Sequence, residues 1–244
     1  MKKDKLKISI ITIVLDAEKT IERTIKSVIS QPYSQFQYII IDGGSTDGTL
    51  EIISKYKGKI DIVVSESDYG LYHAMNKGIE LATGDIIGMI NADDYYYPDI
   101  FKDVIESFKD VNLESNIFFG DMFHNGKTIA GWRPKSLKIG AFGAHPSMFV
   151  PKSVYQKIGV YKLHYKVLSD YDFMYRAFNV YNIKPIYSPK LTAFFNTGGL
   201  ASMNIFRSYT EEMLIKVDNG ELMYKAFGIY LIKLCKYLLI TRWR

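Results

Sequence analysis

Apolar residues follow two different spacings along the first part of the chain. Runs rich in β-branched residues have the length of buried strands, and they lie at 8–15, 38–41, 60–65 and 86–90. The stretch after each run repeats its apolar residues at helical spacing, which predicts helices at 19–30, 45–56, 71–82 and 98–108. This order predicts an α/β fold with a mainly parallel sheet that is covered by helices on both faces.

The second part of the chain is less regular. Apolar runs predict strands at 117–120 and 147–150, and amphipathic stretches predict helices at 152–158 and 171–178. After Gly199 the pattern becomes helical over 204–217 and 221–241. We therefore expect one domain over residues 1–200 and a helical extension over residues 201–244.

Composition narrows the class of protein. The 244 residues are 48% hydrophobic and 23% charged, which suits a globular chain that can bury a core. The one cysteine, Cys235, excludes a disulfide within the chain and a four-cysteine zinc site, and it fits a reducing cytoplasm. The net charge of +5 fits a nucleic acid, an anionic membrane surface or a phosphorylated substrate as partner.

The chain has no pattern typical of a secretion signal or a membrane span. Acidic Asp16 and Glu18 follow the first apolar run and no small-residue cleavage site occurs, so we expect no signal peptide. No run of about 18 uncharged apolar residues is present, so we expect no conventional membrane span.

Acidic residues follow three of the predicted strands, where parallel α/β sheets bind their ligands. They include Asp42, Asp68 and the adjacent pair Asp93 and Asp94. Two neighbouring carboxylates repel each other, and a divalent cation removes that cost. Because Mg²⁺ and Mn²⁺ prefer oxygen ligands and often share them with substrate phosphates, the pair indicates a metal–diphosphate site. The same acids disfavour nucleic acid, because they repel its phosphates.

Two common nucleotide-binding motifs are missing from the sequence. The junction after the first predicted strand, 15–20, contains no glycine, so it lacks the glycine fingerprint of dinucleotide-binding domains. No Walker lysine pattern occurs either. A sugar nucleotidyltransferase shares the parallel sheet and paired acids, but it needs a basic, glycine-rich loop at this junction, where Asp16 and Glu18 stand instead.

Five segments in order carry a more specific pattern. They are 8–18, 39–49 (Ile-Ile-Ile-Asp-Gly-Gly-Ser-Thr-Asp-Gly-Thr), 73–79 (His-Ala-Met-Asn-Lys-Gly-Ile), 84–94 (Gly-Asp-Ile-Ile-Gly-Met-Ile-Asn-Ala-Asp-Asp) and 169–173 (Ser-Asp-Tyr-Asp-Phe). Together they resemble the family 2 glycosyltransferases of the GT-A fold, a Rossmann-like architecture. The Asp-Gly-Gly-Ser turn and the Asn-Ala-Asp-Asp ending are most similar to enzymes that build bacterial surface polysaccharides such as O-antigen and capsule.

The resemblance implies a reaction and its principal residues. An inverting, metal-dependent enzyme would move a hexose or N-acetylhexosamine from a nucleotide sugar, most simply a UDP-sugar, to a hydroxyl of a lipid-linked oligosaccharide. Asp170 would be the general base, and Asp93 would bind Mn²⁺ or Mg²⁺ with weaker support from Asp94. The alternative is a non-catalytic, membrane-associated protein that retains the fold, and the intact Asp93 and Asp170 argue against it.

The resemblance also implies contacts with the donor nucleotide. Asp42 would accept a hydrogen bond from the imide nitrogen of uracil, because a carboxylate at a strand end suits that edge of the base. The implied donor-binding residues are Glu18, Asp42, Ser45, Asp68, Asn76, Asn91 and Ala92.

Some candidate residues keep two interpretations. Asp172 rivals Asp170 as the base, but the two point to different sides of a helix start and the family register favours Asp170. Asp172 is then a cap or a supporting group, or it contacts the acceptor or the diphosphate. His145, Trp132 and Arg133 lie in predicted loops, where they either contact the acceptor or the diphosphate, or serve packing.

The last predicted helix, 221–241, is apolar apart from a few lysines. Lys225, Lys233 and Lys236 fall within an arc of about 80° around the helix axis. A wide apolar face beside a narrow basic one is typical of a helix at a membrane surface. The alternative is a helix packed on the catalytic domain with its lysines in water. With a lipid-linked acceptor, the membrane interpretation places the chain in the cytoplasm, bound peripherally to the inner face of the bacterial membrane.

Overall fold

A computed structural model of the chain describes residues 6–132, 145–196 and 204–242. The strands are β1 Ile8–Val14, β2 Phe36–Asp42, β3 Ile62–Ser65, β4 Ile86–Asn91, β5 Tyr95–Tyr96, β6 Asn116–His124, β7 Lys127–Ile129, β8 Met148–Pro151 and β9 Lys184–Phe194. The helices are α1 Ile21–Ile29, α2 Thr49–Ser54, α3 Leu71–Leu81, α4 Ile100–Ser107, α5 Lys152–Ile158, α6 Ser169–Tyr175, α7 Ile205–Asp218 and α8 Met223–Arg242. A 3-10 turn at His145–Ser147 precedes β8, and a π-helical turn at Arg176–Val180 follows α6.

The strands form one sheet in the order β3-β2-β1-β4-β8-β6-β9-β5, with β7 paired to β6. The first four strands of this order are parallel, as predicted, and β9 is parallel to β6. β8 runs antiparallel to both β4 and β6 and joins the two parts. The chain moves from β1 outward to β2 and β3 and then returns to place β4 on the other side of β1. Strand order therefore reverses between β1 and β4, which is where sheets of this class bind ligands.

Helices cover both faces of the sheet, which confirms the predicted layers. On one face, α3, α5 and α6 contribute Met75, Val154 and Phe173 to the core. On the other face, α1 and α4 contribute residues such as Ile25 and Phe101. β1 alternates between the two cores and is buried throughout, so its side chains leave no space for a ligand except at its end.

The predicted elements of the first part agree with the structure to within a few residues. Three strands were not predicted: β5, β7 and β9. The longest of them, β9, contains Pro185 and Pro189, which lack a backbone donor and favour loops or strand edges. β9 nevertheless pairs with β6 along its length, with register shifts near Gly120 and Asp121. Tertiary pairing thus outweighs the local pattern there.

The helix α7 packs against the end of the sheet domain. Asn219 Nδ2, at the end of α7, donates to Asp172 Oδ1 of α6 at 3.2 Å. The Tyr165 hydroxyl, in the segment before α6, donates to the Asp218 carboxylate of α7. α7 is thereby fastened to the segment that carries the predicted base. The predicted boundary at residue 200 stays a prediction.

The last helix, α8, packs on α7, and one of its lysines differs from expectation. Lys233 is turned toward α7, where its ammonium group pairs with the buried Glu212 carboxylate. The alternative of a packed helix with its lysines in water does not hold for Lys233, because an interhelical ion pair draws this side chain inward. Lys225 and Lys236 are exposed. Within the described ranges, no helix is both long enough and apolar enough to cross a membrane.

Candidate active site

The loops that follow β1 and β2 are fastened to each other at the carboxyl edge of the sheet. The Asp16 N–H donates to Ser45 Oγ at 2.8 Å, and the Thr46 N–H donates back to Asp16 Oδ1 at 2.8 Å. The Gly48 N–H donates to Glu18 Oε2 at 3.0 Å. Of the predicted donor-binding residues, Glu18 and Ser45 therefore take part in this loop–loop network.

Asp42, the last residue of β2, lies fully buried beneath this loop pair. Its carboxylate accepts hydrogen bonds from the Gly44 N–H at 3.2 Å, the Ser45 N–H at 3.1 Å and Ser65 Oγ at 2.7 Å. The Ser45 hydroxyl donates to it as well. These contacts use Asp42 to shape the turn after β2, and its predicted hydrogen bond with uracil stays a prediction.

A second carboxylate, that of Asp68, lies above the same turn. Asp68 Oδ1 accepts from the Gly70 N–H at 2.6 Å. A β-carbon placed at Gly43 would lie 2.9 Å from Asp68 Oδ2 and 3.6 Å from the Leu15 side chain. The glycine at position 43 therefore leaves room for the Asp68 carboxylate beside the exposed Leu15 side chain. Together they place an acceptor oxygen next to an apolar surface at the end of β1 and β2.

The end of β4 presents Asn91, Ala92 and Asp93 at the switch point of the sheet. Asn91 Oδ1 lies 3.3 Å from His145 Nε2. Ala92 is buried, and its carbonyl accepts from Thr24 Oγ1 of α1 at 2.9 Å. Asp93 is partly exposed, and its Oδ2 lies 3.4 Å from Asn196 Nδ2. The Asp93 carboxylate is thus open on one side, as a ligand-binding group requires.

Asp94 has a different environment from that of its neighbour. It is 1% exposed, and its Oδ1 accepts from the Asn196 N–H at 2.8 Å. Its Oδ2 is buried and has no hydrogen-bond partner among the described residues. Burial raises the pKa of Asp94 to about 8, so the group is largely a neutral acid at pH 7. This places Asp94 as a support for the segment after β9, and its weaker role at the metal stays a prediction.

Asp170, the predicted base, lies in the first turn of α6 and is held by hydrogen bonds. The Tyr72 hydroxyl of α3 lies 2.9 Å from Asp170 Oδ1 and 2.8 Å from the Val167 carbonyl oxygen. The Tyr171 N–H also donates to Asp170 Oδ1, at 2.9 Å. Burial raises the pKa of Asp170 above its ordinary value, although these hydrogen bonds oppose the shift. A carboxylate of raised pKa is a stronger base, which suits proton removal from a hydroxyl.

Asp172 is committed to buried ion pairs. It is fully buried, with Arg176 Nε at 2.8 Å and Lys162 Nζ at 3.1 Å from its oxygens. This agrees with its interpretation as a supporting group and leaves Asp170 as the accessible carboxylate of α6. The other interpretation of Asp172, a contact with the acceptor or the diphosphate, is not supported by this geometry.

Asn76 and Trp132, two further residues with predicted ligand contacts, make contacts with other residues of the protein. Asn76 of α3 donates to the Tyr161 carbonyl at 2.8 Å and accepts from the Tyr161 N–H at 3.1 Å, so both ends of its amide hold the segment before α6. The Trp132 ring packs on Phe119 and Phe178 at centroid distances of 5.1 and 4.5 Å, which favours the packing interpretation. Arg133 lies outside the described residues.

Three residues of the site were not predicted from the sequence. Arg23 of α1 donates to the Asp93 carbonyl at 2.9 Å and lies over the Tyr95 ring. Tyr72 and Asn196 contact the carboxylates of Asp170 and Asp93 as described above. No local pattern marks these residues, because each contact joins segments about 70 to 100 residues apart in the chain.

His145 is joined to the end of β4 and is uncharged at neutral pH. Burial lowers the pKa of its imidazole to about 4. The neutral ring therefore donates its Nε2–H to Asn91 Oδ1 and does not supply a positive charge to a diphosphate. This favours a positioning role for His145 at the strand end.

The buried His145 predicts a pH dependence of stability. The unfolded chain takes up a proton at this residue near pH 6.5, whereas the folded protein does so only near pH 4. The free energy of unfolding therefore falls as the pH drops from 6.5 to 4, by about 3 kcal/mol in full. Urea unfolding of the protein and of a His145→Gln variant measures this contribution. We expect the variant to lose this part of the slope, and equal slopes for both proteins would contradict it.

Comparison with known proteins identifies the family. The model of "Glycosyl transferase family 2" matches residues 9–195. A "PGL/p-HBAD biosynthesis glycosyltransferase" of Mycobacterium bovis is 27% identical over 219 residues, which cover 87% of this chain and 86% of that protein. An uncharacterized glycosyltransferase of Mycobacterium tuberculosis is 32% identical over 203 residues, 80% of this chain and 77% of the relative.

Solved structures show the same fold. S. aureus TarS 1–349 in complex with UDP-GlcNAc has a TM-score of 0.68 at 16% identity, covering 92% of this chain and 70% of that one. The mannosyltransferase PcManGT from Pyrobaculum calidifontis, in complex with GDP-Man and Mn²⁺, has a TM-score of 0.68 at 14% identity, with coverages of 95% and 70%. Against another TarS structure, the match spans 42% of that chain. Because the family model matches most of the chain, this protein belongs to glycosyl transferase family 2 and is a transferase of the GT-A fold.

Proposed function

We propose that this chain is an inverting, metal-dependent glycosyltransferase that uses a UDP-sugar. It transfers a hexose or N-acetylhexosamine to a hydroxyl of a lipid-linked oligosaccharide during synthesis of a bacterial surface polysaccharide. The observation that carries this proposal is the open Asp93 carboxylate at the end of β4, beside the point where strand order reverses. A structural neighbour that holds UDP-GlcNAc supports the choice of donor.

The residues at the end of β4 fit a divalent cation. Among the described residues, no group of three or more His, Cys, Asp or Glu side chains forms a site that would hold a metal by protein ligands alone. The cation in this proposal therefore needs ligands from the substrate. Mg²⁺ and Mn²⁺ commonly take one or two protein carboxylates and complete their ligands with substrate phosphates and water. Asp93 supplies such an oxygen, and Asn91 supplies a neutral one nearby in sequence. When bound, the cation would offset the charge that develops on the leaving diphosphate.

The turn after β2 fits a nucleobase. In this proposal the exposed Leu15 side chain packs on the ring, and Asp68 Oδ2 is an acceptor oxygen beside the base. Asp42 acts beneath them by holding the Gly44 and Ser45 amides in place. Position 43 has to be a small residue for this arrangement, because a side chain there would displace the Asp68 carboxylate.

Asp170 accepts the proton of the acceptor hydroxyl. That oxygen then attacks the anomeric carbon on the face opposite the diphosphate, the bond from this carbon to the diphosphate oxygen breaks, and the configuration inverts. Tyr72 holds Asp170 Oδ1, which leaves Oδ2 to receive the proton. Proton transfer of this kind contributes about 10²–10⁴ in rate.

The proposed acceptor is lipid-linked, and α8 offers a surface for the membrane. Its exposed apolar side chains are Met223, Tyr224, Phe227, Leu231, Ile232, Leu238 and Leu239. Lys225 and Lys236 are exposed on the same helix and attract anionic headgroups. We therefore place the protein at the cytoplasmic face of the bacterial membrane, bound peripherally through α8.

A thermal-stability measurement tests the donor site. With UDP and Mn²⁺ at about 100 times Kd, we expect the Tm to rise by about 5–10 °C. Asp93→Ala removes the proposed metal ligand and should abolish the rise. Asp94→Asn is the matched control, because it replaces a neutral buried acid by a neutral amide and should keep the rise. A shift with GDP in place of UDP would change the donor class, and no shift with any nucleoside diphosphate plus Mn²⁺ would contradict the proposal.

Vesicle binding tests the role of α8 separately. The protein should co-sediment with vesicles of phosphatidylcholine and phosphatidylglycerol. A double variant with Ile232→Glu and Leu239→Glu should bind these vesicles more weakly, by roughly tenfold or more. Val180→Glu is a matched control, because this residue is 53% exposed and lies outside α8. Equal binding of all three proteins would contradict the proposal that α8 binds the membrane.

A further inference from the structure

A buried carboxylate of α7 accepts hydrogen bonds from three consecutive backbone amides of the segment before α6. Glu211 Oε1 accepts from the Lys166 N–H, and Glu211 Oε2 accepts from the Val167 and Leu168 N–H groups, each at 2.9 Å. Glu211 is 5% exposed. Arg207 Nε, one turn earlier on α7, donates to Oε1 at 2.9 Å. The three amide donors are directed to a single side chain that lies more than 40 residues away in the chain.

The segment held by Glu211 is the one that presents Asp170. α6 begins at Ser169, directly after the last of the three amides. The Val167 carbonyl and Asp170 Oδ1 both contact the Tyr72 hydroxyl, so the same peptide units are fixed from the other side by α3. Any rotation of the 166–168 backbone would therefore move the Asp170 carboxylate relative to Tyr72.

A carboxylate suits this position better than a neutral group. Three converging N–H groups form a site of positive potential, and an anion there is stabilised by charge-assisted hydrogen bonds. Burial acts to raise the pKa of Glu211, but the backbone N–H groups and Arg207 outweigh it and hold the pKa below its ordinary value. Glu211 therefore remains ionised at neutral pH. An amide side chain has one acceptor oxygen and would direct an N–H group at these donors.

We propose that Glu211 is a positioning residue for the catalytic base: its carboxylate fixes the 166–168 backbone so that Asp170 is held in its reactive orientation. This inference rests on the proposed function, in which Asp170 takes the acceptor proton. It makes α7, a helix outside the expected catalytic domain, a part of the active-site framework.

The adjacent residue provides a matched control. Glu212 is also buried, at 4% exposed, but its carboxylate pairs with Lys216 and Lys233 on the side of α8. Glu211→Gln and Glu212→Gln thus both remove one buried charge from the same helix. Only the first removes an acceptor from the segment that presents Asp170.

Steady-state kinetics separate positioning from stability. The assay follows UDP release from UDP-GlcNAc with Mn²⁺ and water as the acceptor, normalised to the folded fraction. We expect Glu211→Gln to lower kcat about 10- to 100-fold with the KM for UDP-GlcNAc unchanged within about twofold. Glu212→Gln should stay within about threefold of the parent kcat. In an Asp170→Asn background, Glu211→Gln should cause no further fall, because the group it positions is gone.

Hydrogen exchange gives a readout that does not depend on turnover. Amide exchange at 166–168 should be faster in Glu211→Gln than in the parent protein, and unchanged in Glu212→Gln. Glu211→Asp retains the charge on a shorter side chain, so it should give an intermediate kcat and exchange rate if the Gln variant does not fold.

The outcomes distinguish this inference from the proposed function. If Asp170→Asn lowers kcat by about 100-fold or more while Glu211→Gln keeps the parent kcat, the positioning role is overturned and the base assignment stands. If Asp170→Asn keeps the parent kcat, the base assignment fails and this inference fails with it. Unchanged exchange at 166–168 in Glu211→Gln overturns the positioning role whatever the kinetics show.

Discussion

The parallel register of β3, β2, β1 and β4 determines where this fold can present polar side chains to a ligand. These strands are covered by helices on both faces, and β1 in particular is buried along its whole length. Polar chemistry is therefore confined to the strand ends, and parallel pairing brings those ends to one edge. The loops that carry Asp42, Asp68 and Asp93 meet there for this reason.

The carboxylates of the candidate site and of its supporting segments divide into two groups by their hydrogen-bond environment. Asp42, Asp94 and Glu211 are buried and accept backbone N–H groups, so they hold loops in place. Asp93 and Asp170 are partly exposed and each retains capacity for a ligand or a proton. Since an unsatisfied buried amide costs about 1–3 kcal/mol, the buried acids stabilise the loop conformations that orient the exposed ones. Acidic residues close together in sequence thus have different tasks, as Asp93 and Asp94 illustrate.

The sequence predicted the α/β order and the strand-end acids because both depend on local periodicity and on short motifs. Local periodicity and short motifs carry no information about contacts between distant segments. Tyr72 and Glu211 reach the segment of Asp170 from helices about 100 and 40 residues away, and nothing in their own neighbourhoods marks them. The pattern does not predict β9, because Pro185 and Pro189 are typical of loops and strand edges. The strand forms through its pairing with β6. Helical periodicity groups Lys233 with Lys225 and Lys236, but it carries no information about the partner helix, which supplies Glu212.

Anomalous diffraction from crystals grown with UDP and Mn²⁺ locates the metal without reference to activity and so tests the metal–diphosphate site itself. We predict a manganese peak at the Asp93 carboxylate, shared with the diphosphate of a nucleotide whose base lies over the turn after β2. A nucleotide bound at that edge without manganese at Asp93, or manganese bound elsewhere, would contradict the metal–diphosphate site on which the proposed reaction depends.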